Sequence, residues 1–359
     1  MSHAFPRDVR WDRIAIGWEG LPPYAAASIN SIRNTLGVTI LGTPASAAFA
    51  RADIDPDNNI KWIDRNDEVT WRDLGIETPD IFVHTGWAYP HWNSLANEVL
   101  ARGGQLVSMV DNRWKGSLRQ WLGSIYFRIT LRSRFSCVWV PGLSGRRLMR
   151  HFGMPADRVF AGLYGADTSQ FFGGRPLRER PLQILFSGQL IRRKGIDILR
   201  EAWIRFRRNN GSWRLVVCGV GPEGEHMKGV EGIDHIGFVS PTQLAEIMKE
   251  SRYLVLPSRD EHWGVVVHEA ACCGCGLLLS ESVGSGEDLL GPNNGSWSKT
   301  ASVGSLLSSL VWAAGRPPSE LEFVEIESRR RSLAFGPKLW AENLELIVSK
   351  VASNHNRYR

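Results

Sequence analysis

Residues 253–280 read "YLVLPSRDEHWGVVVHEAACCGCGLLLS". The runs at either end are apolar without alternation, which suits parallel strands covered on both faces. Pro257 and Ser258 should turn the first run, and Trp263 and Gly264 stand where a helix should begin. Strand, helix and strand in that order form a βαβ unit, so a parallel sheet is expected. The puzzle is the pair of carboxylates. Glu261 precedes the helix and Glu269 lies inside it, with three valines between. A solvated face would rarely read "VVV" there, so the acids point to a ligand. Two solvated glutamates on an amphipathic helix are the alternative.

The same pattern runs outward in both directions. Strand candidates are "RIAIG" (13–17), "GVTIL" (37–41), "DIFVH" (80–84), "QLVSMV" (105–110) and "CVWV" (137–140). After residue 180 come "LQILFSG", "WRLVVCG", "HIGFV", "RYLVLP" and "GLLLS". In "KGIDILREAWIRFRR", Ile196, Leu199, Trp203 and Phe206 recur at helical spacing. The βαβα pattern occurs twice, and a chain of 359 residues is long enough for two domains. Glycines, prolines and charges interrupt both periodicities in "FFGGRPLRERP" (171–181), which sets the expected seam. The α/β reading is therefore two Rossmann-like, doubly wound domains, 1–175 and 176–335. A final helix over 336–359 is expected to pack back on the first.

Composition narrows the classes. Apolar residues make up 43% and charged residues 22%, an ordinary globular balance. Net charge is +6, and its distribution is uneven: 112–156 hold nine Lys or Arg and no Asp or Glu. Such a block suggests an anionic partner. Five cysteines, three of them crowded at 272, 273 and 275, lack a second cluster for zinc and read as apolar packing in a reduced cytosol. The opening "MSHAFPRDVRWDR" has no apolar core for a signal peptide, and no run approaches a membrane span. In "ADIDPDNN" (52–59), Asp53, Asp55 and Asp57 alternate, but Asn58 replaces the central glycine of a calcium loop, so a capped loop is expected.

In open α/β sheets ligands bind beyond the carboxyl ends of the strands. After "LQILFS" comes "GQLIRRKG", in which Gly188 turns the chain and Arg192, Arg193 and Lys194 precede a helix. Cations beside helix N–H groups suit a diphosphate, although a solvated basic turn reads the same. After "WRLVVCG" comes "GVGPEG" (219–224), a glycine-rich turn that could meet a flat nucleobase or merely close. Carboxylates such as Glu261 and Glu269 suit sugar hydroxyls, which are neutral donors.

Together these motifs resemble the GT-B-fold retaining glycosyltransferases of the family-four (glycosyl transferases group 1) type. The resemblance rests on "SGQLIRRKGIDIL", "VVCGVGPEG", "HIGFVS", "LVLPSRDEHWGVVVHEAACCGCG", "NNG" (293–295) and "LYGADTSQFF" (163–172). It implies two Rossmann-like domains facing each other across a cleft, the first for the acceptor and the second for a nucleotide-sugar donor. It implies that Glu261 meets the donor sugar, Glu269 the ribose hydroxyls and Lys194 the diphosphate. The remaining donor contacts it suggests are Gly188, Gln189, Arg193, Gly221, Pro222, Phe238, Trp263, Gly264 and Val265. Departures are visible. Gln189 stands where the family usually has arginine, and Arg193 could compensate. "EHWG" replaces Glu-Gly-Phe-Gly, so His262 and Trp263 would reshape the sugar pocket. The first strand's glycine pair is only loosely matched by "GWEGLPP" (17–23). The usual acceptor-side histidine is missing from "SMVDNRW", leaving Asp111 and Asn112 as polar candidates, with Asp111 taken as catalytic.

The function implied is transfer of a hexose from a nucleotide-diphosphate sugar to a glycan or lipid-linked glycan in cell-surface polysaccharide or lipopolysaccharide synthesis. No cofactor or metal is expected, since Lys194, Arg193 and the helix near Gly264 can carry the leaving charge. A nucleotide-sugar epimerase of the same fold, or a silent sugar-nucleotide binder, are the alternatives. In "WKGSLRQWLGSIYFRI", Trp114, Leu118, Trp121, Ile125 and Ile129 share a helical face among basic residues. Residues 113–150 thus read either as a packed helical segment or as one touching an anionic membrane. A cytoplasmic protein, peripheral on the cytosolic face, is expected. Nucleic acid is not, because the basic block carries no recognisable reader motif.

Overall fold

The computed structural model describes residues 9–45, 54–55 and 59–355. Among them the chain divides into two compact units. One runs up to Gly165 and resumes at Pro337; the other is Ala166–Gly336. The break lies before the expected seam, for a local reason. The Ala166 N–H donates to His268 Nδ1 at 2.8 Å, and the Gly173 carbonyl accepts from Arg329 at 2.9 Å. Residues 166–175 are therefore tied to the second unit.

In the first unit, β1 (Ile14–Leu21), β2 (Thr39–Pro44), β3 (Lys61–Trp62), β4 (Ile81–Thr85), β5 (Gln105–Met109), β6 (Cys137–Trp139) and β7 (Val159–Phe160) form a parallel sheet in the order β3-β2-β1-β4-β5-β6-β7. In the second, β8 (Gln183–Ser187), β9 (Arg214–Cys218), β10 (Ile233–Gly237), β11 (Tyr253–Leu256), β12 (Gly276–Ser280) and β13 (Gly295–Ser298) follow the order β10-β9-β8-β11-β12-β13. Both sheets are doubly wound, so each has a point where strand order reverses: β1/β4 and β8/β11. Loops diverge there and leave room for a ligand.

The apolar runs become strands because both faces are covered. Leu254, Val255 and Leu256 of β11 and Leu277, Leu278 and Leu279 of β12 are fully buried. The helix Ile196–Arg207 buries Ile196, Leu199, Trp203 and Phe206, the face its spacing predicted. The closing helix, Pro337–His355, sets Trp340 against Trp139 and Trp18, at 4.9 and 6.5 Å between ring centroids. β3, β7 and β13 escaped the sequence reading, since two are only two residues long and "GSWS" is largely polar.

All five cysteines are buried and unbridged. Asp55 accepts from the Asn59 and Ile60 N–H groups, both at 2.8 Å, as in a capped turn. Asp53 and Asp57 lie outside the described residues, as does the start of the chain through residue 8.

Gly195 determines how closely the loops after β8 and β11 approach. Its φ is +74°, and a Cβ there would fall 2.2 Å from the Pro257 carbonyl oxygen. Gly195→Ala should therefore cost about 3 kcal/mol, combining overpacking with left-handed strain. Denaturant unfolding measures it; a loss below a few tenths of a kcal/mol would show the two loops free to part.

Candidate functional site

The site is built where β8 and β11 separate. After β8, the Gly188 N–H donates to Cys218 O at 3.0 Å and the Leu190 N–H to Val220 O at 2.9 Å. Glu223 N–H returns a bond to Leu190 O at 2.9 Å, so the turns after β8 and β9 are joined. Gln189 stands exposed on the first, and Gly221 and Pro222 begin the short helical turn of the second. Phe238, half-exposed, follows the end of β10.

The loop after β11 is strapped to residues 192–197. Arg259 grips the Asp197 carboxylate with both guanidinium nitrogens, at 2.6 and 2.7 Å. Its N–H donates to Arg193 O at 2.8 Å, and Arg193 Nη1 donates to Asp260 O at 2.7 Å. This strap brings Lys194 Nζ onto the Glu261 carboxylate in a direct ion pair. Arg193 Nη1 stands 3.9 Å from the same oxygen. Both members of the pair are largely buried, Lys194 11% and Glu261 12% exposed in their side chains. At such burial each charge depends on the other, or on a ligand that replaces it.

A third segment supports Glu261. Beyond β12, the Glu261 N–H donates to Ser282 O at 3.1 Å and Gly284 N–H donates back to Glu261 O at 3.0 Å. Ser285 N–H reaches Trp263 O at 3.0 Å. Sequence reasoning missed this splint, although "SESVGSG" after a buried strand has the glycines and serines of a strand-end turn. Gly264 then opens the helix Val265–Cys272 at φ 86°, where a Cβ would come 3.0 Å from Glu261 Cγ. The leading N–H groups of a helix lack intrahelical acceptors and favour anions.

Glu269 lies one turn along that helix. Part of it stays open to solvent, yet burial alone pushes its carboxyl up to about 7. The preceding His268 fixes the helix from below. Its Nδ1 accepts from the Ala166 N–H, so Nε2 carries the proton and donates to Ser332 O at 2.9 Å. Burial lowers this imidazole to about 4, which keeps it neutral in that tautomer. The Trp263 ring does not line the site. It is buried against Phe335, 5.1 Å between centroids, so this residue offers main chain only. Asn294 of "NNG" is structural, bonding Leu289 O and Ser328 Oγ.

Of the predicted residues, the second unit thus holds Gly188, Gln189, Arg193, Lys194, Gly221, Pro222, Phe238, Glu261, Trp263 and Gly264 in the segments after its strands, with Val265 and Glu269 in the helix that follows. Asp111 belongs to the first unit, after β5, where Tyr164 Oη donates to its carboxylate at 3.3 Å. That unit also has a cluster the sequence did not reveal. The Glu19 carboxylate, at the end of β1, takes bonds from His91 Nε2 at 3.0 Å and Trp92 Nε1 at 3.1 Å and pairs with Arg65.

Comparison with known proteins agrees with this architecture. Residues 167–314 match the family model of glycosyl transferases group 1. A glycogen synthase of Mycobacterium tuberculosis is 27% identical over 139 residues, 36% of this chain and 34% of the relative. A D-inositol 3-phosphate glycosyltransferase of Rhodococcus opacus is 24% identical over 236 residues, 58% of this chain and 52% of the relative. The chain thus spans from about a third to about half the length of these curated relatives. Among solved structures, Anabaena HepE in complex with UDP superposes with a TM-score of 0.73 at 12% identity, over 94% of this chain and 99% of that one. The fold is therefore GT-B, and the segment 167–314 is similar to the glycosyl transferases group 1.

Proposed function

We propose that the protein is a retaining glycosyltransferase that moves a sugar from a nucleotide-diphosphate sugar to a glycan or lipid-linked glycan. The observation that carries this reading is the Lys194–Glu261 pair, strapped beside Arg193 at the strand-order reversal of the second sheet. HepE, of the same fold, has been solved with UDP and with UDP-glucose, which supports a nucleotide-sugar donor. In this reading the diphosphate takes Lys194 and Arg193 as counter-charges. Glu261, released from Lys194, holds the sugar as positive charge develops at its anomeric carbon. Glu269 accepts the ribose hydroxyls. The helix N-terminus at Gly264 and the two cations stabilise the departing diphosphate, so no metal is invoked.

Retention follows from the family resemblance, with same-face attack assisted by the leaving phosphate. The first unit is assigned the acceptor, and Asp111 the acceptor-side proton. Tyr164 beside it is a poor base for that role, since burial raises its phenol well above the usual range. Cell-surface polysaccharide or lipopolysaccharide synthesis is the assigned setting. The enzyme would work on the cytosolic face of an anionic membrane, reached through residues 113–150.

The variants separate the roles. Lys194→Ala should weaken UDP binding about 10- to 100-fold, as expected for a charged hydrogen bond. Glu261→Gln should do the opposite to UDP, holding or tightening it by removing the competing carboxylate, while lowering turnover. Calorimetric titration of UDP with a parallel rate assay reads both. Equal weakening of UDP in the two variants would reject the exchange of partners at Lys194.

Glu269 makes donor affinity depend on pH. Its carboxyl sits near 7 rather than near the usual carboxylate range, so it ionises as pH rises from 6 to 8. A ribose hydroxyl binds the ionised form better, so nucleotide-sugar affinity should rise about tenfold across that range. The diphosphate diester does not titrate there and adds no slope. Glu269→Gln should flatten the profile; an unchanged slope would move the ribose contact elsewhere. Folding runs the other way. The native state holds a proton that the unfolded chain releases, so this group's contribution to stability falls as pH rises towards 7.

A further inference from the structure

The helix Leu118–Tyr126 continues as a wider turn over Phe127–Leu131, and its apolar stripe faces outward. Leu118, Trp121, Leu122, Ile125, Tyr126 and Ile129 are all more than half exposed. The inward positions are Ser124 and Phe127. A surface helix normally turns its apolar stripe to the core, so this orientation is reversed. An exposed apolar patch of this continuity marks an interaction surface.

The charges indicate what it meets. By helical spacing Arg119 and Arg128 border the stripe on either side. The neighbouring helix, Leu143–His151, adds the exposed Leu143, Arg146, Arg147 and Arg150. Residues 112–156 contain no Asp or Glu. A second copy of the chain would place this basic face against itself, which repulsion disfavours. A surface both apolar and anionic satisfies the whole patch. Trp121 and Tyr126 are the aromatic types that settle at the level of lipid headgroups. Among the described residues no helix is long and apolar enough to cross a membrane.

We propose that this helix docks in the plane of an anionic lipid bilayer, with its apolar stripe among the acyl chains and its arginines on the headgroups. The proposal rests on the reading of the acceptor as membrane-presented. It specifies the face that makes the contact.

The test is co-sedimentation of the full chain with vesicles of equal parts phosphatidylcholine and phosphatidylglycerol, against phosphatidylcholine alone. Wild-type protein should pellet with the mixed vesicles and stay in solution with the neutral ones. Trp121→Ser with Ile125→Ser should weaken partitioning at least about tenfold, and Arg119→Gln with Arg128→Gln comparably. All these residues are exposed, so an unchanged melting temperature confirms folding. Unchanged UDP affinity in the same variants keeps the donor site apart from the docking face. Wild-type protein that binds UDP but ignores both vesicles overturns the docking and leaves the transferase reading standing. Equal pelleting of all variants overturns the assignment to this face. A dimer in sedimentation velocity that Ile125→Glu dissociates gives the stripe to a second copy and also overturns it.

Discussion

The contact between Lys194 and Glu261 organises the second unit. Two opposite charges, both largely buried, meet at the point where β8 and β11 part company. Separating them without replacement would leave each unpaired in a poor solvent for charge. The surrounding structure prevents that separation. Arg259 ties one loop to the other through Asp197, Gly195 allows backbone to lie against Pro257, and residues 282–285 hold Glu261 from the far side. The pair therefore acts as an internal counter-ion arrangement. In the proposed reading, a diphosphate would substitute for the carboxylate without creating a new desolvation cost at Lys194.

The helix carrying Glu269 is short and needs outside support. His268 provides part of it, bonding backbone at both Ala166 and Ser332 with one neutral ring. Adjacent residues on this helix thus have opposite tasks. One is anchored inward and stays uncharged; the other stays partly open to solvent, and burial pushes its carboxyl up to about 7. Their different environments, on the same turn of helix, come from the face each occupies.

Much of this was legible in the chain. Strands such as "YLVLP" and "GLLLS" announce themselves because a parallel strand covered on both faces must be apolar throughout. The positions of Gly188, Lys194 and Glu261 beyond strand ends, and of Glu269 inside the following helix, were legible because glycines and charges break the apolar runs there. Three features were hidden. The support from residues 282–285 depends on a contact between segments about twenty positions apart, which no local pattern encodes. The Glu19 cluster draws its donors from residues far along the sequence. The stripe from Leu118 to Ile129 was readable as a stripe, but periodicity fixes only its angular position. Whether it faces core or solvent is decided by the neighbouring strands, through Ser124 and Phe127.

The return of the closing helix to the first unit has a consequence for biosynthesis. The second unit is one uninterrupted segment, Ala166–Gly336, while the first draws on both ends of the chain. Trp340 fills the space between Trp18 and Trp139, which translation supplies about three hundred and two hundred residues earlier. A nascent chain released as far as Gly336 holds every strand of the second sheet but lacks the aromatic wedge of the first. Domains fold as units during synthesis, usually from the N-terminus. Here the order of completion is inverted: the later-made unit can close its core first, and the earlier-made one waits for the helix Pro337–His355.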